Sequence, residues 1–253
     1  MKKIDKSGEI NYNNFGSKII IINYRKDNDI DVYFPKYNWT KEHVQYINFI
    51  NGSVRCPYEP RVFNIGYIGE GKYKVKINGK YTKYYKVWNR MLCRCYDPKY
   101  IQKHPTYEQS KVCDEWLNFQ VFAEWLDENY YKIGEQIMNL DKDILCKGNK
   151  IYSPDTCVFA PQNINKLFTK RDNDRGNCPV GVYYDKPTKK YKAQCTVNGK
   201  NKYLGRYDTP EEAFQVYKNF KEKYIKEVAK EYKNIIPTKL YNAMITYEVE
   251  IDD

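Results

Sequence analysis

The 253-residue sequence contains no apolar run near the ~20 residues that a membrane-spanning helix requires. Its first residues, MKKIDKSGEI, carry charge but lack the apolar stretch of a secretory signal. The eight cysteines include no CxxC pair. We therefore expect a soluble intracellular protein that does not bind membranes. Its cysteines should be free thiols, several of them buried, rather than a disulfide framework.

The cysteine spacing also disfavours a zinc site. Only Arg94 separates Cys93 from Cys95, whereas paired zinc ligands usually have two to four residues between them. Zinc could still be bound by these two cysteines together with Cys113, but we do not expect such a site.

Basic residues and tyrosine are abundant. The chain has 43 Lys and Arg against 32 Asp and Glu, a formal charge of +11, and 27 tyrosines. A cationic surface attracts polyanions, and tyrosine rings stack on bases. Because AT-rich coding enriches Ile, Asn, Lys and Tyr together, the position of the charge along the chain is more informative than its sum.

The pattern of elements predicts an α+β fold with several domains. Residues 1–77 contain the β-branched run KIIIINY and the alternating run IDVYF, which with later glycines predict a small, strongly bent β barrel. Residues 78–172 predict helices and then a hairpin followed by a helix. Residues 173–253 predict a three-stranded antiparallel sheet, a helix and a C-terminal appendage. The barrel could be a docking or nucleic-acid-binding module or a purely structural domain, and the sequence does not distinguish these roles.

Two runs within residues 81–130 have helical spacing, one around Trp88 and Leu92 and one around Trp116 and Phe122. We expect these aromatic side chains to form a core rather than a ligand site. Between the runs, Asp97-Pro98 and His104-Pro105 predict a loop.

The C-terminal unit has the clearest local signals. Strands are predicted at residues 180–184, 191–197 and 202–206, and Asn198-Gly199 is typical of a two-residue hairpin turn. Thr209 and Pro210 predict a helix N-cap and first position. Residues 179–206 hold seven basic residues and one acid, Asp185, a net charge of +6. That concentration is what a duplex-binding surface needs.

The segment GVYYDKPTKKYKAQCTVNGKNKYLGRYDTPEEAFQVY resembles the three-stranded-sheet-plus-helix DNA-binding domain of plant ethylene-response factors and of phage and intron endonucleases. The resemblance implies that the sheet lies in the major groove of double-stranded DNA. Plant members carry mostly Arg and Trp at the reading positions, and this chain departs from them, so its target sequence does not carry over. Gln194 is suited to adenine and the basic residues to phosphates. The resemblance and the charge together give these DNA-binding candidates: Tyr183, Lys186, Lys190, Lys192, Gln194, Thr196, Asn201, Lys202, Tyr203 and Arg206. Asp185 also matches a reading position.

The segment NLDKDILCKGNKIYSPDTCVFAPQNIN resembles the His-Asn-His (HNH) nuclease hairpin and helix of phage and intron endonucleases. The resemblance implies one Mg²⁺ or Mn²⁺ ion held by Asp141 and Asn165, which polarises a DNA phosphate and stabilises the leaving oxygen. The middle Asn of the family falls near Thr156, with Asn149 as its substitute. The catalytic His is replaced by Lys142.

Because Lys142 replaces the catalytic histidine, the identity of the catalytic base is open. A normal lysine has a pKa of ~10.4 and accepts no proton at neutral pH unless burial lowers that value. The chain has only two histidines, and His104 is a candidate base supplied from outside the hairpin. Asp143 is another, although a carboxylate with a normal pKa of ~3.9 is a weak base. A third reading is that catalysis is lost and the hairpin only grips DNA.

These observations predict a phage-type DNA-binding protein that acts in the cytoplasm of a bacterial host and takes no small-molecule substrate. As an enzyme it would be a metal-dependent DNA endonuclease. The competing hypothesis is a degenerate HNH-like protein that regulates through DNA binding or inhibits a host defence protein. The DNA target, the oligomeric state and the role of residues 1–77 are not legible from the sequence.

Overall fold

The computed structural model describes residues 4–169 and 178–251, and these form a mixed α and β structure. The chain divides into two compact units, residues 1–128 and 129–253. The predicted domain boundary after residue 172 lies outside the described residues. The one predicted after residue 77 falls within a short hairpin of the first unit.

The first unit begins with an open sheet of four antiparallel strands in the order β1-β2-β3-β4. Side chains alternate along β2 and β3, so that Ile19, Ile21, Ile30, Val32 and Phe34 are completely buried on one face. The prediction of a small β barrel was wrong, because within the described residues no strand pairs β1 with β4 to close the sheet. The strands are β1 (Ile10–Tyr12), β2 (Lys18–Lys26), β3 (Asp29–Phe34) and β4 (Trp39–Val44).

The rest of the first unit is mainly helical, as the aromatic spacing predicts. Trp88, Leu92, Trp116 and Phe122 are fully buried, and the Trp88 indole Nε1 donates to the Trp116 carbonyl oxygen at 2.7 Å. Asp97-Pro98 begins a helix instead of a loop, because the Asp97 carboxylate caps it. The elements are α1 (Tyr46–Ile50), β5 (Lys76–Ile77), β6 (Lys80–Tyr81), α2 (Lys83–Tyr96), α3 (Pro98–Lys103), β7 (Lys111–Val112) and α4 (Phe119–Asn129). Short 3-10 helices lie at Pro35–Tyr37, Pro105–Tyr107 and Asp114–Leu117.

The second unit contains a strand pair followed by a one-turn helix, and then a three-stranded sheet against a long helix. The order agrees with the sequence prediction, and each of the three predicted C-terminal strands overlaps an observed one. The elements are β8 (Met138–Asp141), β9 (Ile151–Tyr152), β10 (Val158–Pro161), α5 (Gln162–Asn165), β11 (Val182–Asp185), β12 (Lys190–Val197), β13 (Lys200–Tyr207), α6 (Pro210–Tyr232) and α7 (Thr238–Ile245).

Helix α6 begins where the sequence predicts. The Thr209 side chain accepts from the Glu212 amide at 3.2 Å, and the Glu212 carboxylate accepts from the Thr209 amide at 3.4 Å, which forms a capping box. Pro210 takes the first helical position.

One helix packs on both parts of the second unit. Ala213, Phe214 and Tyr217, near the start of α6, are buried in the core of the three-stranded sheet. Ile225 and Ala229, further along, are buried with residues of β10, α5 and α7. At a rise of 1.5 Å per residue, Tyr217 and Ile225 are about 12 Å apart along the axis. Helix α6 therefore connects the sheet to the strand pair at Asp141 within one packed unit.

Gly181 allows the sheet to lie directly on α6. Its φ is +74°, and a Cβ built on it would lie 2.1 Å from the Tyr217 ring. Gly181→Ala should therefore lower the free energy of unfolding by about 3 kcal/mol, through backbone strain and overpacking together. Urea denaturation measures this loss.

Gly199→Ala is the matched control for this substitution. Gly199 has a similar φ of +77°, but its Cβ would meet no atom within 4 Å. We expect a loss of about 1 kcal/mol from strain alone. Equal losses in the two variants would mean that the contact with Tyr217 does not constrain the sheet.

Candidate functional site

Strands β8 and β10 bring the acidic pair of the sequence next to the helix that follows. They pair antiparallel, with Asp141 opposite Val158 and Leu140 opposite Phe159. Asp141 is thus the last residue of β8, at the mouth of the loop that connects the strands. Asn165 ends α5, which follows β10 directly.

The Asp141 carboxylate is half-buried and held by the backbone. Its Oδ1 accepts from the amides of Asp143 and Ile144, each at 2.9 Å. Burial, and then the neighbouring Asp143, raises the pKa of Asp141 to about 6. A carboxylate that is fixed in this way and is costly to leave charged is well suited to accept a cation.

The Asn165 side chain supplies a second candidate metal ligand, and this oxygen has no protein partner. Its Oδ1 is buried and accepts no hydrogen bond. A buried acceptor without a partner costs free energy, so such groups are rare unless a ligand satisfies them. Carboxylate and amide oxygens are the ligands that Mg²⁺ and Mn²⁺ prefer. The donor set of Asp141 and Asn165 therefore fits the metal that the HNH resemblance implies.

Lys142, which the HNH resemblance would align with a catalytic histidine, is buried. The residue is 7% exposed, and its Nζ donates to Asp143 Oδ2 at 3.1 Å and to the Asn149 carbonyl oxygen at 2.9 Å. Both contacts use the amine as a donor, and the contact with Asp143 is an ion pair.

Asn149, rather than Thr156, holds the backbone at residue 142. Its Nδ2 donates to the carbonyl oxygens of Lys142 at 2.6 Å and Ile151 at 2.7 Å, and its Oδ1 accepts from the Ile151 amide at 3.2 Å. The Thr156 hydroxyl donates to the Ile151 carbonyl oxygen at 2.8 Å instead. Asn149 is therefore the residue that orients position 142.

The two other candidate bases are both exposed. Asp143 has 48% of its side chain exposed and pairs with Lys142. His104 belongs to the first unit, where its ring centroid lies 4.4 Å from that of Tyr100. Their roles in proton transfer stay predictions.

The three-stranded sheet presents most of the predicted DNA-binding side chains on one face. Ala193 and Cys195 of β12 are buried against α6, and the residues that alternate with them along the strand point to the opposite face. Cross-strand neighbours on that outer face are Tyr183 with Lys192, Lys192 with Arg206, Gln194 with Tyr203, and Thr196 with Asn201. We call this set, together with Lys190, the outer face.

Two carboxylates partly neutralise the outer face. Asp185 Oδ1 lies 2.9 Å from Lys192 Nζ, and its Oδ2 lies 3.2 Å from Arg206 Nη2. The Thr188 hydroxyl and then Lys192 hold the pKa of Asp185 below its usual value. Lys190 pairs with Asp208 at 2.9 Å. Residues 179–208 still carry seven basic residues against these two acids, a net charge of +5. The pair of Lys190 with Asp208 is exposed and therefore weak, so phosphate can replace that carboxylate. The Asp185 side chain is only 11% exposed, so phosphate must compete with it for Lys192 and Arg206.

Lys202 lies on the other side of the sheet. In register it pairs with the buried Cys195, and its Nζ lies 4.7 Å from the Phe220 ring centroid on α6. Lys186 is exposed in the turn between β11 and β12. The phosphate contacts predicted for both lysines stay predictions.

A second acidic cluster, which the sequence analysis missed, lies on the four-stranded sheet. Asp29, Asp31 and His43 have ligand atoms within 4.8 Å of one another. Arg25 donates to both carboxylates, at 2.8 Å each, and lowers the pKa of Asp29 and that of Asp31, the latter to about 2. The alternation Asp29-x-Asp31 along a strand is the signal that could have found it. Because the Arg25 guanidinium already pairs with this cluster, it is no candidate metal centre.

Comparisons with models of protein families, with curated proteins and with solved structures each return no match to this chain. Across residues 4–169 and 178–251, no helix has both the length and the apolar character that crossing a bilayer requires.

Proposed function

We propose that this chain binds double-stranded DNA through the outer face and hydrolyses its phosphodiesters at Asp141 with one divalent metal, as a phage-type protein of the HNH class. The observation that carries the proposal is the composition of the outer face. It combines cationic side chains, which hold phosphates, with the amide of Gln194 and the rings of Tyr183 and Tyr203, which can contact base edges. Tyr203 is 57% exposed and Tyr183 39% exposed.

Helix α6 supports the combination of binding and chemistry. Because α6 packs on the three-stranded sheet and on the core of the strand pair at Asp141, it holds the sheet and the strand pair in a fixed relative position. Asn163 Nδ2 donates to the Tyr232 hydroxyl at 2.6 Å, which attaches α5 to the end of α6. We therefore expect α6 to place DNA that is bound by the outer face next to the β8–β10 strand pair.

At the site, Asp141 and Asn165 would hold Mg²⁺ or Mn²⁺. When bound, that ion supplies Lewis-acid polarisation of a phosphate and stabilisation of the leaving oxygen. The amides of Asp143 and Ile144 keep the Asp141 carboxylate oriented. Lys142 contributes a buried positive charge that favours a phosphate nearby. Asp143 is the candidate within this unit to remove a proton from water.

A second function is favoured by the contacts of Lys142. An amine that donates to Asp143 and Asn149 is not arranged as a base. The chain would then bind DNA without cleaving it and act as a regulator, or bind and inhibit a host defence protein.

A nicking assay on supercoiled plasmid separates the two functions. Nicked or linear product in Mg²⁺ or Mn²⁺, absent with a chelator, supports the nuclease. A gel shift on the same DNA without product in either metal supports binding alone. If the protein gives no gel shift and no product, both DNA functions are contradicted. The shift should weaken steeply between about 50 and 200 mM salt if several phosphates are contacted.

A further inference from the structure

The first unit carries a second cationic surface that the C-terminal resemblance does not cover. Residues 71–90 contain seven basic residues and no acid. Six of the seven are lysines, and all seven are exposed. This charge is denser than that of the three-stranded sheet. We call the set the hairpin surface: Lys72, Lys74, Lys76, Lys80, Lys83, Lys86 and Arg90.

The hairpin surface is built around a tight turn. Strands β5 and β6 pair antiparallel, with Lys76 opposite Tyr81 and Ile77 opposite Lys80. Asn78 and Gly79 join them with φ values of 48° and 75°, as a type I′ turn requires. This turn closes a short two-stranded ribbon with a lysine on each strand, and residues 76–81 are all exposed.

Contacts with α2 make the ribbon a rigid part of the unit. The Thr82 side chain caps α2 and donates to the Lys74 carbonyl oxygen at 2.8 Å. The Tyr81 ring stacks on Tyr85 with centroids 4.9 Å apart, and Tyr85 packs against the buried Trp88. An isolated hairpin is at best marginally stable, so these contacts are what hold its lysines in position.

The basic residues of α2 extend the same surface. Lys83, Lys86 and Arg90 are spaced by three and four residues, so they share one helix face, about 10 Å long. Trp88 and Leu92 occupy the buried face. Glu124 and Asp127 are acids at the base of this surface, and both favour the charged form of Lys72. Asp127 accepts hydrogen bonds from the hydroxyls of Tyr73 and Tyr84. Among the described residues, Lys74, Lys76 and Lys80 form no ion pair.

We propose that the hairpin surface is a second contact for duplex DNA, bound through the phosphate backbone. A two-stranded ribbon fits a DNA groove, and lysine ammonium groups are phosphate ligands. Tyr81 is 46% exposed, but its ring already stacks on Tyr85 and has Lys76 Nζ 4.5 Å from its centroid, which disfavours stacking on the bases of single strands. A membrane-binding segment would carry a full apolar face, whereas Ile77 is the one exposed aliphatic side chain of the ribbon.

This inference rests on the proposed function only for the choice of duplex DNA as ligand. The hairpin variant replaces Lys74, Lys76 and Lys80 by glutamate in the full chain. Its matched control replaces Lys18, Lys26 and Lys41, which are exposed on the four-stranded sheet of the same unit. Both variants change the net charge equally. Circular dichroism and thermal melting establish that each variant is folded.

Fluorescence anisotropy with a duplex of about 30 base pairs measures the affinity across a salt series. The hairpin variant should bind at least about 10-fold more weakly than the wild type near 100 mM salt, with a salt slope smaller by about three. The control should lose less than about threefold. Arginine at the same three positions should restore binding.

Equal losses in the hairpin variant and its control would overturn the inference. So would a hairpin variant that binds duplex DNA normally but no longer sediments with phosphatidylserine vesicles. If the outer face does not bind DNA but the hairpin surface does, the result is different. Glutamate at Lys190 and Lys192 would then leave duplex affinity unchanged while the hairpin variant still loses it.

Discussion

Glutamate at both Lys190 and Lys192 is expected to lower the affinity for duplex DNA about 100-fold near 100 mM salt and to reduce the salt slope by about two. Both side chains project from the outer face, where they are partly exposed. Each substitution removes one phosphate contact and places a like charge against the polyanion. Each also puts an acid beside Asp208 or Asp185, so the carboxylates that now balance the lysines would add to the repulsion. Fluorescence anisotropy on a labelled duplex measures both quantities.

Two controls separate the outer face from the total charge. Lys226 and Lys230 are exposed on α6, and replacing both by glutamate changes the net charge equally. That variant should lose less than about threefold in affinity. Gln194→Ala removes no charge, so it should leave the salt slope unchanged and relax the sequence preference. If the α6 variant were weakened as much as the Lys190 and Lys192 variant, general charge rather than the outer face would explain binding.

The layout of the C-terminal sheet was predictable because its signals are local. The turn at Asn198-Gly199, the cap at Thr209 and the alternation along β12 each act within a few residues. The same alternation puts Gln194 and Thr196 on one face, which makes a shared surface readable without a structure. The alternation along β13 puts Lys202 on the opposite face, a position that the basic character of the residue does not indicate.

Features that depend on distant pairing were not predictable. Alternation in β2 and β3 identifies strands but does not determine whether the first and last strands meet, so the expected barrel is an open sheet. The ion pair of Lys190 with Asp208 depends on the register of β12 against β13. The hairpin surface had a local signal in Asn78-Gly79, but the predicted domain boundary after residue 77 divided it.

At the candidate site, the sequence identified residues but not their contacts. The resemblance assigned Asp141, Lys142 and Asn165 by position alone. That Lys142 is buried as a donor to Asp143 and Asn149, and that the Asn165 oxygen has no partner, follow from packing around the β8–β10 loop and α5. These contacts favour a metal at Asp141 and count against Lys142 as the base.

Asp141→Asn is expected to abolish metal-dependent nicking and, at the same time, to stabilise the metal-free protein at neutral pH. In the unfolded chain this carboxyl has a pKa near 3.8, and burial raises the pKa of Asp141 to about 6 in the folded protein. Folding therefore takes up a proton between these values, and above pH 6 the folded state carries the full cost of a charged, half-buried group. Asparagine is neutral and retains the oxygen that accepts from the amides of Asp143 and Ile144. The gain should be about 2 kcal/mol near pH 8 and close to zero near pH 4 in urea denaturation.

Thermal melting with added cation tests the metal ligand separately from activity. Mg²⁺ or Mn²⁺ at about 100 times its Kd should stabilise the wild type by about 3 kcal/mol, because the ion binds only the folded site. Asp141→Asn and Asn165→Ala should lose this stabilisation. Asp155→Asn, which alters an exposed carboxylate of the loop between β9 and β10, should keep it. Equal stabilisation of the wild type and Asp141→Asn would place the metal elsewhere. Because the substitution removes a costly buried charge, a loss of nicking in this more stable variant cannot be attributed to unfolding.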